Sequence, residues 1–209
     1  MLPSMLTLLM LLVAAYLIGA VPFAWLVARL HGVDIRAVGS GNVGATNVFR
    51  AVGKTAGVLT FLLDVGKGLL PTVCFPLWFA SAPAGPEAGL LYGCAAIAGH
   101  NWPVYLRFKG GKGVATTAGV LLGAAPAAMG VGLGAWLLLF AIGRYVSLAS
   151  IGAAIAIPLA GWWWYGATRP LLAAVLTLLG VLVVLRHRTN IKRLCNGTEH
   201  SFRKERKTD

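Results

Sequence analysis

The feature that most constrains the fold is an uncharged, predominantly apolar run over residues 6–27, which is followed by further long apolar runs. A transmembrane helix needs about 20 such residues. Of the 209 residues, 58 % are hydrophobic and only 11 % are charged, whereas about 25 % are charged in an ordinary soluble domain. The strands of a membrane β-barrel would alternate over about ten residues, and these runs are continuous. The sequence therefore predicts an all-α integral membrane protein with a single domain.

Seven transmembrane helices are predicted from the lengths of the apolar runs. Residues 114–142 would form a helix about 43 Å long, which is too long for one span and short for two. Because Pro126 lies near the middle of this stretch, we predict two short helices that meet there. The predicted helices cover residues 5–28, 55–79, 87–106, 112–126, 128–143, 147–163 and 170–186.

The distribution of Lys and Arg tests this helix count. If the N-terminus is outside, all but two of the 18 Lys and Arg residues fall in cytoplasmic segments; Arg169 lies outside and Lys67 lies within a helix. The positive-inside rule expects such an excess. Without the break at Pro126, the basic C-terminal tail would change sides. The predicted topology therefore has the N-terminus outside, a helical core over residues 1–193 and a cytoplasmic tail over residues 194–209.

The net charge of +12 is unusual for so hydrophobic a chain. In a soluble protein it would suggest nucleic acid, but on a membrane protein it points to anionic lipid headgroups and phosphorylated substrates. We therefore predict the lipid bilayer as a partner and no nucleic acid. Acidic residues on the predicted inner face are too few for a metal site, so neither a metal nor a cofactor is expected.

The first predicted cytoplasmic loop is rich in glycine and polar residues. Its G-x-G-x-x-G pattern at positions 39, 41 and 44 does not predict a dinucleotide site, because a membrane helix and no strand precedes it. Glycine backbone N–H groups can curl around an anion, and Arg50 can bind a phosphate bidentately. We interpret the loop as phosphate-binding, and the alternative is a flexible polar connection. The loop reads Gly39-Ser40-Gly41-Asn42-Val43-Gly44-Ala45-Thr46-Asn47-Val48-Phe49-Arg50.

A second segment combines glycines with lysines at the start of the fourth predicted helix. Backbone donors there, the positive end of the helix dipole and two lysines would bind an anion. Topology alone explains the lysines but not the glycines, and whether Lys109 or Lys112 faces substrate is left open. His100 and Asn101 are either functional or buried groups bonded to each other or to Trp102. The segment reads Gly99-His100-Asn101-Trp102-Pro103, then Arg107-Phe108-Lys109-Gly110-Gly111-Lys112-Gly113-Val114-Ala115-Thr116.

A third polar segment, over residues 186–199, follows the last predicted helix. Anionic lipid explains the basic residues 203–207 further on, but it requires no imidazole, amide or carboxylate. We therefore interpret His187 and Asn190 as functional. Glu199 is expected to pair with a basic neighbour, which would make it structural.

Two further pairs of polar residues lie in or near predicted helices. Asp64 and Lys67 are three positions apart and so share a helix face. An ion pair between them would lower the free-energy cost of placing both charges in lipid. A structural and a functional role are both open. Ser147 and Ser150 begin the sixth helix, where they either face a substrate or cap the helix.

Together the three segments resemble the signature of the bacterial acyl-phosphate-dependent glycerol-3-phosphate acyltransferase family, over essentially the whole chain. Members transfer a fatty acyl group from acyl phosphate to the 1-hydroxyl of glycerol 3-phosphate. The products are lysophosphatidic acid and inorganic phosphate, and the step opens phospholipid synthesis. The matching residues are Ser40-Gly41-Asn42 with Gly44-Ala45-Thr46-Asn47, Gly99-His100 with Phe108-Lys109-Gly110-Gly111-Lys112-Gly113-Val114-Ala115-Thr116, and Asn190-Ile191-Lys192-Arg193-Leu194 with Gly197 and Glu199.

The resemblance implies a multi-pass enzyme of the bacterial inner membrane whose active site faces the cytoplasm. It also implies a possible association with the enzyme that makes acyl phosphate. The predicted catalytic residues are Ser40, Arg50, Lys112, His187 and Asn190. The predicted substrate-binding residues are Gly41, Asn42, Thr46, Asn47, His100, Lys109, Gly110, Gly111, Gly113 and Ser150. The predicted structural residues are Glu199, Asp64 and Lys67.

The residues suggest how such a reaction would proceed. Our hypothesis is that Arg50, Lys112 and the amides of residues 110–113 hold the phosphates, while Ser40, Asn190 and His187 orient the acceptor. Since acyl phosphate is already activated, positioning and charge stabilisation can suffice, with a substrate phosphate oxygen as the base. The competing base is His187 or His100. An acyl-enzyme on Ser40 is not expected, because no Ser–His–Asp arrangement is evident.

The best rival function is anion transport. A transporter of this kind would require charged residues or broken helices near the middle of the membrane, and only Asp64 and Lys67 are charged residues at such positions. The sequence therefore favours an enzyme.

Overall fold

A computed structural model describes residues 2–79 and 86–202, and the regular secondary structure within these residues is entirely helical. Residues 81–85 of the uncharged outer turn and the basic residues 203–207 lie outside the described residues. The described helices are α1 (Leu2–Ala20), α2 (Phe23–Leu30), α3 (Ala45–Ala51), α4 (Lys54–Trp78), α5 (Pro86–Asn101), a short 3-10 helix (Val104–Leu106), α6 (Val114–Ala124), α7 (Pro126–Gly143), α8 (Val146–Tyr165), α9 (Pro170–Arg186) and α10 (Arg188–Cys195).

The first predicted helix, over residues 5–28, is two helices in the structure. α1 ends at Ala20 and α2 begins at Phe23. Pro22 stands between them; it has no N–H with which to continue α1, and its ring clashes with the preceding turn. Prediction of one continuous helix was therefore wrong, although Met5–Leu30 as a whole remains long and apolar enough to cross a membrane.

The predicted break at Pro126 is confirmed. α6 ends at Ala124 and α7 begins at Pro126, so the proline occupies the first helical position, where its missing N–H costs nothing. α6 has only 11 residues. At 1.5 Å per residue it is about 16 Å long, roughly half the hydrocarbon thickness of a bilayer.

Length and composition identify the helices that can cross a membrane. A fifth span is possible if α9 and α10, which are bent by 56° at His187, count as one. The predicted count of seven spans and the predicted orientation of the termini stay predictions. The four stretches that qualify alone among the described residues are Met5–Leu30, Lys54–Trp78, Pro126–Gly143 and Val146–Tyr165.

Large apolar side chains cover much of the outer surface of these helices. Leu138, Trp163 and Leu178 are 62 %, 85 % and 67 % exposed. Continuous apolar surface of this kind would be costly in water but not in lipid. The surface is therefore that of an integral membrane protein.

The first of two compact units ends at Pro126. In it, α1 packs on α5, and α4 packs on α5 and α6. Glycines allow the close approach: a Cβ at Gly19 would collide with the backbone of Ala96, and a Cβ at Gly68 would collide with the carbonyl of Thr116. Small residues are typical of helix interfaces in membranes. This packing sets the end of α5 and the start of α6 against α4.

The second compact unit begins at Ala127 and is built on the pairing of α8 with α9. A Cβ at Gly180 would collide with the carbonyl of Ala154 and lie 2.9 Å from the ring of Pro158. α10 follows α9 after a bend at His187 and packs on both α8 and α9. The third polar segment is thereby held against the start of α8.

Candidate active site

The side chain of Asn47 holds the first glycine-rich loop together. Its Nδ2 donates to the carbonyls of Ile35 (3.0 Å), Val38 (3.1 Å) and Asn42 (3.2 Å). Its Oδ1 accepts from the backbone N–H of Ser40 (3.2 Å). Only 2 % of Asn47 is exposed. The structure therefore gives Asn47 a role in folding the loop, which sequence reasoning missed; a substrate contact stays a prediction.

Two glycines of this loop adopt left-handed backbone conformations. Gly39 has φ +58° and Gly41 has φ +67°, and a Cβ at Gly39 would collide with Oδ1 of Asn47. Between them, Ser40 accepts from the backbone N–H of Asn42 through its Oγ (3.4 Å). The glycines thus let the loop close tightly around the Asn47 amide. The predicted site residues Ser40, Asn42, Thr46 and Arg50 are all half-buried.

An exposed ion pair lies at the start of the loop. Oδ1 of Asp34 accepts from the backbone N–H of Arg36 (3.1 Å) and lies 3.4 Å from Nε of the same residue. The backbone bond first, and then the guanidinium, lower the pKa of Asp34 below its ordinary value. This carboxylate is therefore ionised near neutral pH and bound locally.

The second glycine-rich loop begins earlier than predicted, because α5 ends at Asn101 and not at residue 106. Pro103 follows, and a proline cannot continue the helix. After the short 3-10 helix, Arg107 and Phe108 have φ +52° and +62°, which is uncommon for residues other than glycine. The chain thereby turns back so that the N–H of Gly111 donates to the carbonyl of His100 (3.2 Å).

The glycines of this loop are required by its packing against the end of α5. A Cβ at Gly110 would collide with the carbonyl of His100, and a Cβ at Gly111 would collide with the His100 ring. Gly113 has φ +80° and forms the N-cap of α6, where a Cβ would lie 2.8 Å from Oδ1 of Asn101. The prediction that the glycines lie at the start of the fourth predicted helix is confirmed, although that helix begins at Val114 and not at residue 112. Lys109 is exposed and Lys112 is half-buried.

The predicted ion pair between Asp64 and Lys67 is confirmed, with 2.8 Å between Nζ and Oδ1. The structure adds a neighbour that the sequence did not suggest, because Nδ1 of His100 lies 3.6 Å from the same carboxylate oxygen. These three residues, with Gly110 and Gly111, line a pocket of about 10 Å³. That volume suits a single water molecule.

Glu199 organises the third polar segment within the second unit. Its Oε1 accepts from Nδ2 of Asn190 (2.7 Å) and from Oγ of Ser147 (2.9 Å). Its Oε2 lies 3.5 Å from Nε of Arg193, so the expected pairing with a basic neighbour is confirmed. Asn190 and Ser147 are both 5 % exposed. The carboxylate therefore fixes the orientation of a predicted catalytic amide.

The serines at the start of α8 do not cap it. The N-cap residue is Tyr145, which makes no side-chain cap bond. Ser147 is turned towards Glu199, while Oγ of Ser150 donates to the carbonyl of Val146 (2.8 Å), one turn earlier. The capping alternative is therefore wrong for both, because Tyr145 holds the N-cap position and both serines lie inside the helix.

His187 is buried at the bend between α9 and α10. Only 3 % of it is exposed, and its Nδ1 lies 2.7 Å from the carbonyl of Val183. A carbonyl only accepts, so Nδ1 carries the hydrogen. The ring orientation is fixed, and Nε2 is the nitrogen with acceptor capacity when the ring is neutral.

The structure brings some predicted residues together within each unit. In the first unit Asp64, Lys67 and His100 meet beneath the second glycine-rich loop; in the second, Asn190 and Glu199 meet. The break at Pro22 was missed, although a proline inside an apolar run was the available signal. The bond from Ser147 to Glu199 spans 52 positions, and no local pattern indicates it.

Comparison with known proteins identifies the family of the chain. A family model described as glycerol-3-phosphate acyltransferase matches residues 9–197. Among the similar relatives, the glycerol-3-phosphate acyltransferase of Geobacter sulfurreducens is 46 % identical over 95 % of this chain and its own full length. That of Aquifex aeolicus is 44 % identical over 93 % of this chain and 98 % of its own.

Solved structures agree in fold. A crystal structure of PlsY (YgiH), an integral membrane glycerol 3-phosphate acyltransferase in its glycerol 3-phosphate form, has a TM-score of 0.84 and 43 % identity; the match covers 94 % of this chain and 96 % of that one. Its lysophosphatidic acid form has a TM-score of 0.81 and 42 % identity, over 94 % and 95 %. The chain therefore belongs to the glycerol-3-phosphate acyltransferase family and is an integral membrane acyltransferase.

Proposed function

We propose that the protein transfers a fatty acyl group from acyl phosphate to the 1-hydroxyl of sn-glycerol 3-phosphate, the first step of phospholipid synthesis. The observation that carries the acceptor and the product is the pair of similar PlsY structures, one in a glycerol 3-phosphate form and one in a lysophosphatidic acid form. The acyl phosphate donor rests on the resemblance of the three polar segments.

The proposed reaction balances without a cofactor. The 1-hydroxyl oxygen attacks the carbonyl carbon of acyl phosphate, the bond from that carbon to the bridging oxygen breaks, and inorganic phosphate leaves. The hydroxyl proton goes to a phosphate oxygen. Because phosphate is a good leaving group, the protein needs chiefly to position the substrates and stabilise negative charge.

The proposed roles divide between anion binding and orientation. Arg50, Lys112 and the amides of residues 110, 112 and 113 bind phosphate, whereas the N–H of Gly111 already donates to the carbonyl of His100. Lys112 is favoured over Lys109 because it is half-buried one residue before the N-cap of α6. Ser40, His187 and Asn190 orient the acceptor. For Asn190 this is supported by its bond to Glu199, which limits the rotation of the amide.

A substrate oxygen is proposed as the base, with His187 or His100 as the alternative. The two histidines are separated by replacing each with Ala and measuring turnover in protein that remains folded. A loss of well over tenfold in turnover at either one would refute the substrate oxygen as the base.

An assay of the purified full-length protein tests the donor. In detergent, with acyl phosphate and glycerol 3-phosphate, we expect equal amounts of inorganic phosphate and lysophosphatidic acid, measured by colorimetry and mass spectrometry. Arg50→Ala should reduce the rate at least tenfold, whereas the matched control Lys54→Ala, an exposed lysine that begins α4, should not. Product from acyl coenzyme A but not from acyl phosphate would refute the proposed donor.

We also propose that the protein lies in the inner membrane of a bacterial cell and that its active site faces the cytoplasm. To test this, single cysteines are introduced into a variant that lacks the native cysteines. Intact spheroplasts are then treated with a membrane-impermeant maleimide. Arg169→Cys should be labelled at once and Lys109→Cys only after permeabilisation. The reverse pattern would refute the orientation.

Association with the enzyme that makes acyl phosphate is a further prediction, tested by co-purification.

A further inference from the structure

Three buried ionisable side chains lie inside the first unit, and two of them belong to α4, a helix long and apolar enough to cross a membrane. Asp64, Lys67 and His100 are 2 %, 5 % and 7 % exposed. We call them the buried charge chain, because each lies within 3.6 Å of the next. The proposed reaction uses neither Asp64 nor Lys67. Ionisable residues kept at such a place usually have a function.

Lys67 fixes one end of the chain to the break between α1 and α2. Its Nζ donates to the carbonyl of Val21 (2.8 Å) and lies 5.5 Å from the centre of the Phe23 ring. The residue after Val21 is Pro22, which has no N–H, so helical bonding is interrupted here. Lys67 therefore holds a non-helical point of the backbone at a set position beside α4.

Asp64 connects this end to α5. Its Oδ1 lies 2.8 Å from Nζ of Lys67 and 3.6 Å from Nδ1 of His100. A carboxylate at this distance favours the ring orientation in which Nδ1 faces it, and Nε2 then lies against Gly111. Asp64 thus sets the direction of the His100 ring.

His100 is the surface on which the second glycine-rich loop lies. Its carbonyl accepts from the N–H of Gly111, and a Cβ at Gly111 would collide with its Nε2 and lie 3.0 Å from its Cε1. A Cβ at Gly110 would collide with the same carbonyl. A rotation of the ring or a shift of the end of α5 would therefore displace residues 110–111 directly.

We propose that the buried charge chain positions the second glycine-rich loop for binding substrate phosphate. Lys67 and Asp64 are positioning residues that act through His100: together they set the place of Gly110 and Gly111 relative to the α1–α2 break. The inference rests on the proposed phosphate-binding role of this loop. It gives Asp64 and Lys67 a task in the reaction, beyond the stability of α4.

The connections of the pair distinguish positioning from simple charge neutralisation. Asp64 and Lys67 are three apart on one helix, so an internal pair would satisfy both charges within α4. Each instead has a second neighbour outside α4, Val21 on one side and His100 on the other. Replacing a buried ion pair by neutral groups is often tolerated by the fold, so stability alone does not demand it.

Steady-state kinetics of the full-length protein in detergent test the proposal. The double variant Asp64→Asn/Lys67→Met removes both charges at similar volume, and His100→Gln removes the ring. We expect each to raise the KM of at least one phosphate substrate about tenfold or more, with kcat within about threefold. The matched control is Thr72→Val; Thr72 is buried on the same helix and donates to the carbonyl of Gly68 within it. Its KM values should be those of the wild type.

The outcomes separate this inference from the proposed function. Absence of lysophosphatidic acid from the wild type would refute the proposed function. An active wild type with unchanged KM values in the double variant, whatever its thermal stability, would refute the inference. If the double variant does not fold, His100→Gln decides: unchanged KM values, or a large fall in kcat alone, would overturn the positioning role. An equal rise in KM for Thr72→Val would overturn it too.

Discussion

Replacing Asn47 with Leu removes the side chain that folds the first glycine-rich loop and keeps a similar volume. The two Nδ2 hydrogens are shared among the carbonyls of Ile35, Val38 and Asn42, and Oδ1 accepts one bond from Ser40. That amounts to three hydrogen bonds, each with a net value of about 1 kcal/mol. The free energy of opening the loop should fall by about 3 kcal/mol, and its open population should rise about a hundredfold.

Hydrogen–deuterium exchange followed by mass spectrometry measures this opening directly. Peptides that cover residues 35–47 should exchange about a hundredfold faster in Asn47→Leu than in the wild type, and activity should fall with the loss of loop order. Asn196→Leu, which changes an exposed amide after α10, is the matched control and should leave these peptides unchanged. Exchange of residues 35–47 within threefold of the wild type, in folded Asn47→Leu protein, would refute the role assigned to Asn47.

Two further substitutions test the other polar segments. Gly111→Ala places a methyl group against the His100 ring; it should raise the KM of a phosphate substrate about tenfold and lower stability by about 1–3 kcal/mol. The control Gly134→Ala, which has nothing within 4 Å of its Cβ, should be neutral or stabilising. Kinetics and thermal unfolding measure both variants, and equal effects would contradict the packing argument. Glu199→Ala frees the Asn190 amide and should lower kcat/KM about tenfold, while Glu199→Gln, which keeps an accepting oxygen, should lose much less; equal activity of the two would exclude orientation by an acceptor.

Much of the fold was predictable, because each membrane helix corresponds to a continuous apolar run in the sequence. The apolar runs gave the positions of the long helices, and the break at Pro126 appears where it was predicted. The ion pair of Asp64 and Lys67 was also predictable from a spacing of three. Where prediction failed, at Pro22, the residue alone did not show whether a proline would bend the helix or end it. Lys67, which donates to the carbonyl of Val21 at this break, is 46 positions away from Val21.

The polar segments were recognisable in sequence, but the contacts inside them were not. The composition of the first loop suggested that Asn47 binds substrate, whereas the structure turns its amide towards four backbone groups of the loop itself. Likewise, nothing near Glu199 in the sequence suggests Ser147 as a donor, because that contact depends on how α10 packs on α8. Composition thus located the segments, and tertiary packing decided which side chains fold them.

The glycines of the second loop illustrate why folding and binding roles need not compete. From the sequence, Gly110, Gly111 and Gly113 suggest a backbone that is open to an anion; in the structure, the same glycines are required because the loop lies directly on His100 and Asn101. A flexible glycine loop would lose conformational entropy whenever it bound a phosphate. A loop already held by its packing has lost that entropy during folding, so its amides are oriented before substrate arrives. The close packing therefore strengthens the proposed phosphate site, and it explains why a buried charge beneath the loop can affect binding.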